Sequence, residues 1–297
     1  MNDVGVVVIG RNEGARLRGC FQSVRKCHDG LLIYVDSGSS DNSVEIAREF
    51  SSDIIQLDSS LPLSAAFARN SGFQKIKEHY PKIRYVQFVD GDCEVQDGWF
   101  KKARSTFSNE ENKDVAIVRG SLREKDKDYS IYNRIWDIEW WGDAGEINNC
   151  GGIFMAKVEY FSQVDGFNNL VIAGEEPELC FRLQMAGKRI IRVRDEMAVH
   201  DSCMSSFSQW WKRMTRSGYA FAQGMMLHMK SPGAFCVKES IKIWLWGMLF
   251  PVLTLLAAYF VSSWFLVLLL IYPIKILKIC VVSFMNILNV GIDRVRL

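Results

Sequence analysis

Much that would sort a chain quickly is missing from this one. Its eight cysteines include no C-x-x-C pair, so neither a disulfide framework nor a zinc-ligand spacing is on offer, and reduced cytosolic thiols are the expectation. Charge of one sign is missing too. The 36 basic side chains face 34 acidic ones, without the basic excess of a nucleic-acid-binding protein. No G-x-G-x-x-G follows the first apolar run, which counts against a dinucleotide-dependent oxidoreductase. A nucleotidyltransferase would want a Gly- and Arg-rich phosphate loop there, where this chain has Gly10-Arg11-Asn12-Glu13-Gly14. There is no internal repeat or low-complexity tract. Val4–Ile9, preceded by Asp3, is too short and wrongly flanked for a signal peptide and reads as a buried strand.

The largest absence is of charge near the C-terminus. Ile243–Ile274 runs for 32 residues without a formal charge, and includes Trp244, Trp246, Trp264 and Tyr272. A core helix of a soluble protein is rarely so long and so apolar. From Lys230 onward seven Lys/Arg stand against two Asp/Glu, so the tail is cationic as well, and membrane contact is expected. As a single helix the run would reach ~48 Å, well over the ~30 Å hydrocarbon core, yet two full spans need about 40 apolar residues. Lys230, Lys238 and Lys242 precede it and Lys275 and Lys278 follow it, flanks that the positive-inside rule places in the cytoplasm. Ser262-Ser263 offers a turn, and Pro251 and Pro273 can bend the arms. The expectation is a helical hairpin that enters from the cytoplasmic face and returns to it, with Met285–Leu297 cytoplasmic or interfacial; the alternative is one tilted span with the C-terminus outside.

The first half alternates β-branched runs with amphipathic stretches, the pattern of an α/β domain with a mainly parallel sheet. Strands are predicted at Val4–Ile9, Leu31–Asp36, Asp53–Leu57, Arg84–Asp90 and Val115–Gly120. Helices are predicted at Ala15–Lys26, Asp41–Phe50, Ala65–Glu78 and Trp99–Ser108, the second capped within Ser40-Asp41-Asn42-Ser43. The charged stretch Arg123–Asp128 reads as a surface connection. Beyond it, Asn149–Ala156 joins a Gly-Gly turn to a strand, Pro177–Ala186 and Phe207–Met229 read as helices, and Arg189–Val193 as a strand.

Ligands of parallel α/β sheets bind at the carboxyl ends of strands, and two acidic clusters fall there. Asp36 ends the second strand before Ser37-Gly38-Ser39. Asp90-Gly91-Asp92 ends the fourth, where the glycine lets two carboxylates turn toward one ligand, a pattern suited to an oxygen-preferring Mg²⁺ or Mn²⁺ that also holds a diphosphate. An Asp-Gly turn in solvent would look the same. Gly174-Glu175-Glu176 precedes a helix, where acidic residues also serve the helix dipole. His200 follows an apolar run and is a ligand candidate only beside other ligands. Lys212, Arg213 and Arg216, beside Trp210 and Trp211, can steady a leaving diphosphate or simply form a solvated face.

Together these residues resemble glycosyltransferase family 2, the inverting enzymes with the GT-A fold, in order over roughly Val4 to Gly224. Val6-Val7-Val8-Ile9-Gly10-Arg11-Asn12-Glu13 looks like the family's opening strand and N-E turn. Asp36-Ser37-Gly38-Ser39-Ser40-Asp41 is similar to its D-x-x-S-x-D segment, and Ala68-Arg69-Asn70-Ser71-Gly72 to its A-R-N-x-G helix. Asp90-Gly91-Asp92 matches its D-x-D element. Cys150-Gly151-Gly152 with Val164-Asp165-Gly166-Phe167 resembles the acceptor-side block, and Gly174-Glu175-Glu176-Pro177-Glu178-Leu179 the G-E-D-x-D-L block.

The resemblance implies a GT-A catalytic domain over 1–229, a linker over 230–240 and a membrane-associated helical segment over 241–297. It implies that Asp36, Asn12 and Glu13 line the nucleobase pocket, with Arg69 on the nucleotide-sugar side. Asp90 would meet ribose or the metal shell, and Asp92 and His200 would ligate Mn²⁺ or Mg²⁺. Glu176 stands at the general-base position, where the family more often has Asp; Glu175 beside it is the alternative. Gln209-Trp210-Trp211-Lys212-Arg213 is not the Q-x-x-R-W of processive synthases, which favours transfer of one sugar. The implied reaction moves a sugar from a nucleotide diphosphate carrier, most commonly uridine-based, to a lipid-linked or saccharide hydroxyl. It would take place at the cytoplasmic face of the inner or plasma membrane, commonly in polysaccharide assembly. Alternatives are a polyprenyl-phosphate sugar synthase and a non-catalytic membrane-bound sugar-nucleotide binder.

Overall fold

The computed structural model describes residues 2–58, 60, 63–140, 142–278 and 281. They form two compact units, Met1–Phe235 and Cys236–Leu297.

The first unit is α/β. Its strands are β1 (Val4–Gly10), β2 (Leu31–Asp36), β3 (Asp53–Gln56), β4 (Tyr85–Asp90), β5 (Cys93–Val95), β6 (Val115–Glu124), β7 (Gly145–Glu146), β8 (Phe154–Lys157) and β9 (Arg189–His200). The helices are α1 (Ala15–Cys27), α2 (Ser43–Phe50), α3 (Ala65–His79), α4 (Trp99–Ser108), α5 (Ile131–Glu139), α6 (Val158–Gln163), α7 (Glu175–Met185) and α8 (Phe207–His228). The sheet order is β3-β2-β1-β4-β8-β6-β9-β5, with β7 beside β9. β3, β2, β1 and β4 are mutually parallel, and β8 and β5 enter antiparallel.

β1, β2 and β4 are buried almost throughout, which their unbroken Val/Ile/Leu runs require of strands covered on both faces. One core layer packs α1 and α4 on the sheet through Leu17, Phe21, Val24, Trp99 and Phe100. The other packs α3, α6 and α7 through Phe73, Ile76, Phe161, Leu179 and Leu183. α1 buries Leu17, Cys20, Phe21 and Val24, the spacing of one helical face. Gly72 lets α3 lie close on the sheet: a Cβ there would come within 2.4 Å of Val7 Cγ1.

The structure departs from the sequence reading where strands pair at long range. β6 runs to Glu124 rather than stopping at Gly120, and Glu124 is buried, not a surface connection. The reason is β9, which is 12 residues long and pairs Glu124 with His200. Asn42 stands at the N-cap of α2 but its side chain makes no capping hydrogen bond. α5, which the sequence reading missed, is capped by Ser130, whose Oγ accepts from Asn133 N.

In the second unit, α9 (Val237–Trp244), a π turn at Leu245–Leu249 and α10 (Phe250–Phe260) follow one another. Together they form one 24-residue helix long and apolar enough to cross a membrane. The chain leaves this helix at Val261, and Ser262 Oγ accepts from Trp264 N to start a 3-10 segment at Ser263–Leu270. The segment then packs back along α10. Tyr272 Oη donates to the Trp246 carbonyl, and Lys275 Nζ sits 3.1 Å from the Trp246 ring centre. These cross-links make the second arm antiparallel to the first. The segment Met285–Leu297 lies outside the described residues.

Candidate active site

The strand ends of β1, β2 and β4 are level with one another: Gly10 pairs with Asp36, and Ile9 with Asp90. Three of the motif residues are therefore neighbours before any side chain is considered. Asn12, in the left-handed region at φ 57°, is a residue type that tolerates this turn. Its N–H donates to Ser39 Oγ at 2.9 Å, and its Oδ1 accepts from Ser40 N at 2.7 Å. Glu13 N and Gly14 N both donate to Ser43 Oγ. Asp36 is buried and accepts from Gly38 N, Ser39 N, Ser39 Oγ and Tyr34 Oη. The loops after β1 and β2 are thus laced into one rigid rim, with Asp36 as its anchor.

Beside that rim Asp92, Cys93 and His200 bring one ligand atom each to within 4.8 Å of one another. Pairing of β5 with β9 does this, since Cys93 lies opposite His200. His200 Nε2 is 3.3 Å from Asp92 Oδ2, and Nδ1 is 3.9 Å from Glu124 Oε2. A carboxylate behind a ligand histidine fixes its ring and raises its basicity. Burial works against charge on His200, but Glu124, Asp92 and Asp90 outweigh it and raise its pKa. Burial and the charge of Asp90 raise the pKa of Asp92, against the pull of His200. Glu13 is raised likewise, by burial and then by Asp92 and Asp90. Such crowded carboxylates are relieved by a cation. Cys93 Sγ is kept protonated by burial and by Asp92, and donates to Asp92 Oδ1 at 3.3 Å. The donors left are a carboxylate oxygen and an imidazole nitrogen, a set that fits Mn²⁺ or Mg²⁺ better than a thiophilic metal.

Asp90 is not in that cluster. Its Oδ1 accepts from Arg69 Nη2 at 2.8 Å. Arg69, fully buried on α3, also reaches Glu175 Oε1 at 3.0 Å and Glu176 Oε1 at 3.6 Å. Its guanidinium is held charged, since Asp90, Glu176 and Glu175 outweigh the burial that opposes it. Glu175 therefore carries the direct ion pair, while Glu176 is left with a pKa raised to about 7 by burial and by the adjacent Glu175 charge. Gly152 closes this wall: a Cβ there would meet Asp90 Oδ2 at 2.5 Å and Arg69 Nη2 at 2.8 Å. Gly174, at φ 78°, starts α7.

On α8, Arg213 stacks on Trp136 with Cζ 3.9 Å from the ring centre. Desolvation lowers its pKa, while Glu139, Glu176 and Asp92 pull it upward; the residue as a whole is exposed. Arg216, one turn on, opposes it with like charge, and Lys212 is exposed. The sequence reading did not name Cys93 or Glu124. Cys93 had adjacency to Asp92 as a signal; Glu124 had none short of its strand pairing.

A parallel half-sheet whose strand ends carry two interlaced loops, an Asp–Cys–His cluster that could hold a cation and a helix-borne carboxylate is the architecture of the GT-A fold. The family model described as glycosyl transferase family 2 matches residues 5–161, more than half of the chain, and the chain belongs to that family. A second model, glycosyl transferase family group 2, matches residues 147–291. The chain is 24% identical over 242 residues to glycosyltransferase AglE of Haloferax volcanii, covering 75% of this chain and 74% of that one. Among solved structures, the mannosyltransferase PcManGT from Pyrobaculum calidifontis, in complex with GDP-Man and Mn²⁺, superposes with TM-score 0.62 at 17% identity, over 93% of this chain and 80% of that one. TarS of S. aureus superposes with TM-score 0.51 at 14% identity over 74% of this chain, which spans only 40% of TarS.

Proposed function

We propose that this glycosyltransferase moves a single hexose-type sugar, with inversion, from a nucleoside diphosphate carrier to a hydroxyl of a lipid-linked or saccharide acceptor. The observation that carries the reading is the division of labour around Arg69. One buried cation is shared by Asp90, Glu175 and Glu176, and Glu176, the farthest of the three from it, keeps a raised pKa and can take a proton near neutral pH. A general base works best with its pKa near the operating pH, and contributes ~10²–10⁴ in rate.

In this reading the rim of Asn12, Glu13 and Asp36 receives the nucleoside. Asp92 and His200 would hold the divalent cation, Mn²⁺ or Mg²⁺, which when bound stabilises the negative charge of the departing diphosphate. Arg213 would supply a second positive charge. Glu176 holds the acceptor proton while the hydroxyl attacks the anomeric carbon from the face opposite the diphosphate, through an oxocarbenium-like state of the kind known for glycoside chemistry. The apolar helix Val237–Phe260 and the arm that packs back along it support attachment to a membrane from its cytoplasmic side. There a lipid-borne acceptor and cytosolic sugar nucleotides meet.

The reading is tested by screening nucleoside diphosphate sugars for thermal stabilisation of the full chain with and without Mn²⁺. A true donor at 100 times its Kd adds about 2.7 kcal/mol, and the transferred product, followed by NMR, carries the anomeric configuration opposite to the donor's. No metal-dependent ligand in the panel, or retention of configuration, contradicts it.

A further inference from the structure

Arg119 and Arg192 lie directly opposite each other on the parallel strands β6 and β9, so their side chains leave the sheet on the same face. It is the face covered by α7: Ile117 and Ile190, two residues before each arginine, pack in one cluster with Leu179, Cys180 and Leu183. Arg119 is only 6% exposed. Its Nε donates to the Gly120 carbonyl at 3.3 Å, and among the described residues no carboxylate lies within 4 Å of its guanidinium. Arg192 has none either, and its Nε is buried without a hydrogen-bond partner. The contrast with Arg69 is instructive. That arginine is equally buried but meets three carboxylates, as a charge taken out of water requires.

Two like charges side by side, one deeply buried, are costly for the folded protein. Burial, and next the charge of Arg192, depresses Arg119 to a pKa of about 10, and burial lowers Arg192 as well, against the pull of Asp143. The sequence makes room for both. A Cβ on Gly151 would stand 3.3 Å from Arg119 Nη1, and one on Gly142 would overlap Arg192 Nη1. Arg119 also feels the negative charge of Glu176, which shares one face of α7 with Cys180, one turn on. Its guanidinium therefore sits along the same helix face as the proposed base, while Asp90 and Gly152 adjoin on the other side of the Gly151-Gly152 turn.

We infer that Arg119 and Arg192 form an anion subsite for a phosphate group carried by the acceptor, beside Glu176. The inference rests on the transferase reading above. Two guanidinium forks match the oxygens and double negative charge of a phosphate monoester, whereas a single carboxylate would leave one positive charge uncompensated. In that reading the donor diphosphate would be met by the cation held at Asp92 and His200 and by Arg213. The acceptor phosphate can come from a lipid headgroup or from a soluble phosphosugar.

The test uses the full chain in detergent, saturated with UDP or GDP, whichever binds, and Mn²⁺, so that the donor site is filled. Decyl phosphate, glucose 6-phosphate and uncharged decanol are then titrated by calorimetry. At least one phosphate ester should bind and decanol should not; preference for decyl phosphate assigns a lipid source, and preference for glucose 6-phosphate a soluble one. Arg119→Gln and Arg192→Gln should each weaken phosphate binding tenfold or more, Arg119→Lys should retain part of it, and nucleoside diphosphate affinity should stay within twofold. Should Arg119→Gln fail to fold, Arg192→Gln and Arg119→Lys carry the test. Undiminished phosphate affinity in the folded glutamine variants, no phosphate binding by the wild type, or a parallel loss of nucleoside diphosphate would overturn the subsite. Failure of any nucleoside diphosphate to bind with metal strikes at the transferase reading instead.

Discussion

At the scale of single residues, the site is a problem of excess negative charge solved in two ways. Arg69 serves Asp90, Glu175 and, at longer range, Glu176 permanently, whereas Asp92 and Glu13, beside His200 and Arg16, keep raised pKa values that an exchangeable cation would relieve. Asp92→Asn should therefore abolish turnover and weaken Mn²⁺-dependent nucleotide binding, as calorimetry with and without chelator will show; full activity in chelator would contradict this. Glu124 stands behind His200, so Glu124→Gln should cost ~10–100-fold in metal affinity, the usual effect of removing such a partner. The pH dependence follows from Glu176. Its raised pKa of about 7 means kcat should fall as pH drops through that value, because the protonated carboxyl accepts nothing. For stability the sign reverses. The folded protein keeps a proton on Glu176 that the unfolded chain releases, so this group favours folding below the ordinary carboxylate range, and that contribution disappears as pH rises through 7. Asp36, Asp90, Asp92 and Glu176 were legible in the sequence because each ends an apolar run or opens a helix. Glu124 and Arg119 were not, because their surroundings are made by partners 70 to 80 positions away.

Among the elements, those built from local signals were readable almost to their ends. β2 and α4 fall where their apolar runs and flanking turns put them, and β1, α1 and α3 differ by a residue or so. Extensions that depend on a distant partner were not readable: β6 continues through charged residues because β9 supplies both its hydrogen bonds and the buried surroundings of Glu124. The short β5 and β7 exist only as edges of β9. The packing of α3 on β1 gives a separate check on the architecture. A methyl group at Gly72 would collide with Val7, and overpacking of this kind costs about 1–3 kcal/mol. Gly72→Ala should lower the thermal midpoint by several degrees at ~2–4 °C per kcal/mol for a domain of this size. An unchanged midpoint would mean that α3 does not lie where described.

For the whole molecule, the proposed arrangement joins a cytosolic catalytic unit to a tail that enters a membrane and returns. Its first arm is one apolar helix, Val237–Phe260, and the link from Tyr272 and Lys275 back to Trp246 brings the lysine-bearing ends to the same level. Cysteines placed at Lys242 and Lys278 in a cysteine-free background should both resist an impermeant reagent in intact spheroplasts and react after lysis. Labelling of either one without lysis would rule out the hairpin. The length of the apolar run and its basic flanks were legible beforehand and already set one span against a hairpin; the reversal itself needed the contacts across it. The central claim, that this fold positions Glu176 as the base for a single displacement, is met most directly by comparing Glu176→Gln with Glu175→Gln in full-length protein. For Glu176→Gln the account expects sugar transfer to fall by ~10² or more, with nucleoside diphosphate affinity within a few fold of wild type. Near-normal turnover in Glu176→Gln, with that loss appearing in Glu175→Gln instead, would contradict it.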